Sequence, residues 1–214
     1  MSNSSNYHDY VIKDGYFIGD FEGLYKNFSD PWDQLEQHIN NGEKRKLILA
    51  LCNHLKNKFG FKSIVDIGCG LGHLTYDLSN AGFNATGIDI SLTAIEKAKN
   101  TYPSVNFEVG TLLDFEKFSF EIILMSDVTW YSLDNLDCFV KRLKARKEPT
   151  ALVHLLTTYP VGEQKYGLDK FTNLEEILKY YNLKYIDQGV LKESVNINVN
   201  FGLTYFSAVN FGHP

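Results

Sequence analysis

Three acids and three glycines in this chain are spaced in ways that bear on chemistry. Asp66 closes the run Ile64-Val65-Asp66-Ile67, Gly68, Gly70 and Gly72 follow at alternate positions, and Leu74-Thr75-Tyr76-Asp77-Leu78 opens a helical pattern. This reads as strand, tight turn and helix. Without a Cβ, glycine lets the backbone turn sharply and lets a ligand lie against it. The helix that follows turns its unpaired N–H groups and positive dipole end toward the turn, where a carboxylate or phosphate is the natural occupant. A dinucleotide fingerprint would need G-x-G-x-x-G, but His73 stands at the third required glycine, and Asp66 has no place in that pattern. Farther on, Ala85-Thr86-Gly87-Ile88-Asp89-Ile90 reads as a second strand ending in an acid. It lies about 20 residues beyond the turn, the spacing of a ribose-binding carboxylate.

The third acid sits after Phe120-Glu121-Ile122-Ile123-Leu124-Met125, an apolar run suited to a central strand covered on both faces. That strand delivers Ser126-Asp127-Val128-Thr129-Trp130-Tyr131 to the carboxyl edge of the sheet, where open α/β folds bind ligands. Asp127, His154 and Tyr131 are the side chains placed to take a proton from a reacting group. His154 is the best of them by intrinsic pKa, although it lies inside the strand-like run Thr150–Leu156, where a hydrogen-bonded core histidine is the commoner outcome. His73 reads as structural or exposed. No cluster of His, Cys and acids has metal-ligand spacing, so no metal is invoked.

Together the strand-end acid, the G-x-G-x-G turn and the ribose acid resemble the class I S-adenosylmethionine-dependent methyltransferases. The resemblance spans residues 60–210. It implies that Gly68, Gly70 and Gly72, with Cys69 between them, pass close to the cofactor's methionine part, with Asp66 near its amino group. It implies that Asp89, followed by Ile90, holds the ribose hydroxyls. Gly110-Thr111-Leu112-Leu113-Asp114 matches the family's adenine-binding loop; Thr111 stands where an acid usually follows the glycine, leaving the adenine contact to Asp114, to the Leu112 backbone or to no residue of the loop. The Ser126–Tyr131 loop, with Ser126 and Asp127, would lie beside the transferable methyl.

A narrower resemblance rests on Leu24-Tyr25, Asp30-Pro31-Trp32, Glu43-Lys44-Arg45-Lys46 and the Asp127 loop. These look like the nodulation-type N-methyltransferases, which methylate an amino group on a sugar and whose N-terminal region closes over the cofactor. Gly42 departs from that pattern, which places a tyrosine before the glutamate. The resemblance implies a cofactor contact from Trp32; by charge, Lys46 or Arg45 could pair with the cofactor carboxylate, the alternative being a solvated basic turn.

The elements that must position these residues follow from periodicity. Residues 1–31 read as a polar, aromatic and poor core segment; Asp30 reads as a helix cap with Pro31 in the first turn. A helix is expected over Glu43–Lys58 with Leu47, Ile48, Leu51, Cys52 and Leu55 on one face, then helices from Leu74 to Asn80, Leu92 to Lys99 capped by Ser91, Leu136 to Lys147 and around Leu174–Leu178. Strands are expected at Val105–Val109, Thr150–Leu156, Tyr185–Leu191 and Leu203–Asn210, with a loop over Val161–Leu168. The expected fold is α/β: a Rossmann-like, doubly wound, seven-stranded sheet, mostly parallel with a C-terminal antiparallel hairpin strand and an N-terminal helical cap. Residues 1–42 form the extension and cap, and 43–214 the methyltransferase domain.

Composition bounds the partners. The 214 residues, 44% hydrophobic and 22% charged, suit one soluble domain. A net charge of −5 gives no footprint for a phosphate backbone, so nucleic acid is not expected. No apolar run has the length of a membrane span, Met1–Ser5 lacks signal-peptide features, and Cys52, Cys69 and Cys138 form no disulfide framework. The expected setting is the cytoplasm, as a monomer or homodimer without membrane association. The expected activity is methylation of a small polar metabolite with S-adenosylmethionine, on an amino group of a sugar or nucleotide sugar. An O-methyltransferase of a carbohydrate or other metabolite is the first alternative, and a non-catalytic cofactor-binding subunit the second.

Overall fold

A computed structural model describes residues 8–32, 34, 39–158, 164, 166–196 and 199–210. The helix α1 (His8–Val11) leads into a two-stranded ribbon, β1 (Ile12–Lys13) and β2 (Tyr16–Phe17), and α2 (Phe21–Asn27) follows. Next come α3 (Ile39–Phe59), β3 (Ser63–Ile67), α4 (His73–Asn80), β4 (Asn84–Asp89), α5 (Leu92–Thr101) and β5 (Asn106–Val109). The second half holds β6 (Ile122–Ser126), α6 (Leu133–Ala145), β7 (Thr150–Thr158), α7 (Leu174–Tyr181), β8 (Lys184–Asn196) and β9 (Val199–Asn210), with 3₁₀ turns at Leu112–Lys117 and Thr129–Tyr131.

Seven strands form one sheet in the order β5-β4-β3-β6-β7-β9-β8. The first five are parallel, and β9 enters antiparallel between β7 and β8. This is the expected doubly wound sheet with its antiparallel C-terminal pair. The strand order reverses between β3 and β6, the place where ligands bind in such sheets.

The apolar run of β6 has a simple cause. Ile123 and Met125 pack with α6 and α7, while Ile122 and Leu124 pack with α3, so both faces are covered. On α3, Ile48, Leu51, Cys52 and Leu55 are buried, as their spacing predicts. Ser91 accepts from the Ala94 N–H and starts α5 as expected.

The N-terminal segment differs from its reading as a poor core segment. It contains α2, capped by Asp20 accepting from the Gly23 N–H (2.8 Å), with Leu24 and Tyr25 buried. Its aromatics pack both on one another, Phe17 on Phe21 and Tyr10 on Phe28, and on Tyr131 and Tyr166 of the main domain, contacts that periodicity cannot register. The helix expected from Asp30 starts as a turn at Asp30–Trp32, and Asp33 and 35–38 lie outside the described residues. The chain resumes as α3, which runs four residues upstream of the expected start at Glu43. Half of the expected 161–168 loop, residues 161–163 and 165, lies outside the described residues. Among the described residues, no helix is long and apolar enough to cross a membrane.

Candidate functional site

The glycine turn takes a left-handed backbone at each glycine: φ is +71° at Gly68, +53° at Gly70 and +79° at Gly72. Side chains rarely adopt these angles, and there is no room for one. A Cβ on Gly70 would lie 2.5 Å from the Tyr25 hydroxyl, and one on Gly72 2.5 Å from the Phe107 ring. Asp66, at the end of β3, is buried beneath the turn and accepts from Thr75 Oγ1 of α4 at 2.6 Å. Burial pushes its carboxyl up to about 7, the Thr75 hydroxyl pulls it down, and the charge of Asp89 adds to the rise. Asp66 therefore braces strand and helix around the turn.

Asp89 ends β4 beside it. Its Oδ2 accepts the Gly70 N–H and its Oδ1 the Ser91 N–H, both at 2.9 Å, so one carboxylate ties the glycine turn to the start of α5. Burial raises its pKa against these hydrogen bonds. The carboxylate also lines a cavity of about 380 Å³, within the range of small-molecule and cofactor sites. Ile90, Gly110 and Leu112 continue that wall, and Gly68 and His73 form its glycine-turn side. His73 Nδ1 meets the Tyr102 hydroxyl at 2.5 Å; its buried Nε2 has no hydrogen-bond partner among the described residues.

The N-terminal segment closes the other side through a reciprocal clamp between α2 and α5. Glu22 accepts from Ser91 Oγ (2.7 Å), Thr93 N (3.1 Å) and Thr93 Oγ1 (2.7 Å), a carboxylate at a helix N-terminus. The Thr93 and Ser91 donors hold its pKa at about 2. In return, Lys97 of α5 donates to the Tyr25 and Phe28 carbonyls at the end of α2 (2.5 and 3.1 Å). The clamp sets Tyr25 over Gly70, where its hydroxyl accepts from Trp32 Nε1 (3.0 Å). It also brings Phe21 and Trp32 against Tyr131, with ring centroids 5.3 and 5.9 Å apart.

At the end of β6, Asp127 adopts a left-handed backbone with φ +57°. Its Oδ1 accepts the Thr157 N–H at 2.6 Å and its Oδ2 pairs with the Lys44 ammonium of α3. Burial works against the charge of Asp127, but the Lys44 ammonium and the Thr157 donor outweigh it and hold the carboxyl below its ordinary value. It is ionised at neutral pH.

Of the residues singled out in the sequence, Gly68, Asp89, Ile90, Leu112, Ser126, Asp127, Tyr131, Trp32 and Arg45 line this one cavity. Others do not. Asp66, Cys69, Gly70 and Gly72 sit beneath the turn or under Tyr25 and Phe107. Thr111 and Asp114 are spent on each other in a capping box, so neither is turned to the cavity. Lys46 pairs with Glu43 on the surface, because α3 aims its cavity-facing side through Lys44 and Arg45; Arg45 is held by Asp77 and the His73 carbonyl. His154 is the clearest correction. It is fully buried in β7, bonded through Nε2 to Thr129 Oγ1 (2.8 Å) and stacked on Phe206 (4.8 Å). Burial lowers its pKa to about 3, so it is neutral and outside the cavity lining, and no candidate for the base. Sequence reasoning passed over Phe21, Gln34, Lys44 and His73, which also line the cavity. For Lys44, the signal was its place one helical turn before Ile48, on the buried face of α3.

Residues 64–149 match a family model described as a methyltransferase domain. The ubiquinone biosynthesis O-methyltransferase of Ralstonia nicotianae is 30% identical over 97 residues, covering 45% of this chain and 38% of that protein. That of Bradyrhizobium diazoefficiens is 29% identical over 106 residues, 47% of this chain and 42% of that protein. The chain thus spans less than half the length of these curated relatives. Among solved structures, N-methyltransferase NodS from Bradyrhizobium japonicum WM9, in complex with S-adenosyl-L-homocysteine, superposes with a TM-score of 0.65 at 17% identity, covering 87% of this chain and 97% of that one. Magnesium protoporphyrin IX methyltransferase from Synechocystis PCC 6803, also with bound S-adenosyl-L-homocysteine, gives 0.61 at 16% identity over 80% and 84%. At these identities the likeness is one of fold.

Proposed function

We propose, from the match of residues 64–149 to a methyltransferase-domain model and from a fold shared with methyltransferases of known structure, that the protein uses S-adenosylmethionine to methylate a small polar metabolite, on an amino group of a sugar or nucleotide sugar. The observation that carries the cofactor half is Asp89. Its carboxylate is fixed by the Gly70 and Ser91 N–H groups and lines the same cavity as Gly68 and the Asp127 loop.

The residues fit S-adenosylmethionine. Asp89 supplies acceptors for ribose hydroxyls, Ile90 and Leu112 an apolar slot for an adenine, and Gly68 a stretch of backbone wall with no side chain of its own. The orphaned His73 Nε2 offers a polar partner at the mouth of α4. When bound, the cofactor supplies a methyl group on a sulfonium, already electrophilic. The protein's part is to hold a nucleophile in line and exclude water, which is worth roughly 7 to 11 kcal/mol in well-built cases. Phe21, Trp32 and Tyr131 shield that space. Asp127 accepts a hydrogen bond from the acceptor and stabilises the positive charge that arrives on its nitrogen.

The relatives named as O-methyltransferases favour a second reading, a hydroxyl acceptor in the same cavity. Mass spectrometry separates the two. Amino sugars, their nucleotide-linked forms and hydroxylated acceptors are incubated with the protein and S-adenosylmethionine. A methyl gained only by amino sugars supports the first reading, and one gained by hydroxyls supports the second. No transfer to any acceptor counts against both and favours a cofactor-binding subunit without turnover.

A further inference from the structure

The Lys44–Asp127 pair spans the cavity, joining the cap-side helix α3 to the loop after β6. Among the described residues, the carboxylates lining the cavity are those of Asp89 and Asp127. Asp89 is held by two backbone N–H groups that do not move independently of the turn. Asp127 differs: Thr157 N–H fixes Oδ1, while Oδ2 faces a flexible ammonium on a side chain that can swing away. The two side chains keep 23% and 30% of their surface exposed, so the pair is reached from the cavity rather than sealed in the core. The left-handed backbone at Asp127 is a strain of the kind found where a side chain must be aimed. Phe21, Trp32 and Tyr131 line the same space.

We propose that Lys44 occupies the acceptor's amino-group site on Asp127, and that the acceptor binds by taking its place, which restricts the site to amines. This rests on the methyltransferase reading and deepens its acceptor half. The selectivity follows from charge balance. At the binding step an incoming ammonium exchanges one cation for another, so the half-buried carboxylate keeps a cationic partner as the acceptor enters. A neutral hydroxyl would have to expel a cation and leave that carboxylate uncompensated. Once seated, the amine gives one proton to water and keeps an N–H on Asp127 Oδ2. Its lone pair forms the new N–C bond as the S–C bond breaks, and the positive charge then lies on nitrogen beside the carboxylate. The product ammonium loses its extra proton to water, and Lys44 returns.

The test uses the full chain saturated with S-adenosyl-L-homocysteine, with D-glucosamine as the probe and D-glucose as the neutral control, followed by calorimetry. Lys44→Met keeps the aliphatic stem and removes the competing ammonium. Glucosamine is expected to bind it about tenfold more tightly than the wild type. S-adenosyl-L-homocysteine affinity stays within about twofold, glucose gains less than glucosamine because it brings no charge to the carboxylate, and Lys44→Arg, which restores a cation, returns glucosamine to the wild-type value. A merely structural tether would give the opposite sign, since losing it loosens the site. Glucosamine binding that is unchanged, weaker or absent in Lys44→Met overturns the inference while leaving the methyltransferase reading intact. Failure of S-adenosyl-L-homocysteine to bind the wild type would instead overturn the reading on which it rests. If melting curves show Lys44→Met unfolded, Lys44→Gln takes its place with the same expectations.

Discussion

Asp89 and Asp66 are both buried acids beside one turn, yet they do different work. Asp89 faces the cavity with its lone pairs only partly used, whereas Asp66 spends its hydrogen bond on Thr75. Asp89→Ala removes the tie between Gly70 and Ser91 as well as the ribose partner. It is expected to abolish S-adenosyl-L-homocysteine binding by calorimetry, and wild-type affinity in the variant would overturn the site. Asp66 makes a different prediction. Its pKa is raised to about 7 by burial, so the folded chain holds the proton more tightly than the unfolded one, where aspartates titrate near about 3.9. Its contribution to stability is complete at low pH and is lost as pH rises from about 4 through about 7. Asp66→Asn keeps a partner for Thr75 and never ionises. Its melting temperature relative to the wild type should climb between about pH 4 and about pH 7 and level off above that. A difference that does not change with pH would show that Asp66 is already charged in the folded protein.

At the scale of elements, the α2–α5 clamp is the least expected part of the molecule. Each helix covers the other's exposed terminal groups, with Glu22 on the N-terminus of α5 and Lys97 on the C-terminus of α2. Glu22→Ala is expected to cost about 1 kcal/mol, raise hydrogen exchange across α2 and weaken S-adenosyl-L-homocysteine binding several-fold, because Tyr25 and Phe21 lose their seating. Unaltered exchange would show that the aromatic contacts hold α2 without the clamp. The main-sheet elements were readable from sequence because their signals are local: the β6 run, the α3 stripe and the Ser91 cap each state their role within a few residues. The clamp was not, since Glu22 and Ser91 are 69 positions apart, and neither residue looks unusual alone. The same reason explains Lys44 and Lys46. The sequence shows a basic turn, but only the phase of α3 against the sheet decides that Lys44 reaches Asp127 while Lys46 meets Glu43. For His154, intrinsic pKa favoured chemistry, and burial in a two-faced strand decided otherwise.

For the molecule as a whole, a ligand that binds only the folded state stabilises it by mass action. S-adenosyl-L-homocysteine at a hundred times its Kd should add about 2.7 kcal/mol, raising the melting temperature by about 5 to 10 °C for a domain of this size. The shift should vanish in Asp89→Ala, and a wild-type protein without it would argue against the cavity as a cofactor site. The antiparallel insertion of β9 matters at this scale too. It places a strand late in the chain in the interior of the sheet, with Ser207 and Phe206 buried between β7 and β8.

That insertion sets an order on synthesis. On a translating ribosome β8 emerges before β9, but its one neighbour in the sheet is β9, so the earlier strand must wait for the later one. Until the pair docks, β7 keeps a bare edge, open to any other extended peptide. A polypeptide stopped after Leu183 should therefore precipitate when expressed, and a soluble, monodisperse product would mean that the nascent half shields its own rim.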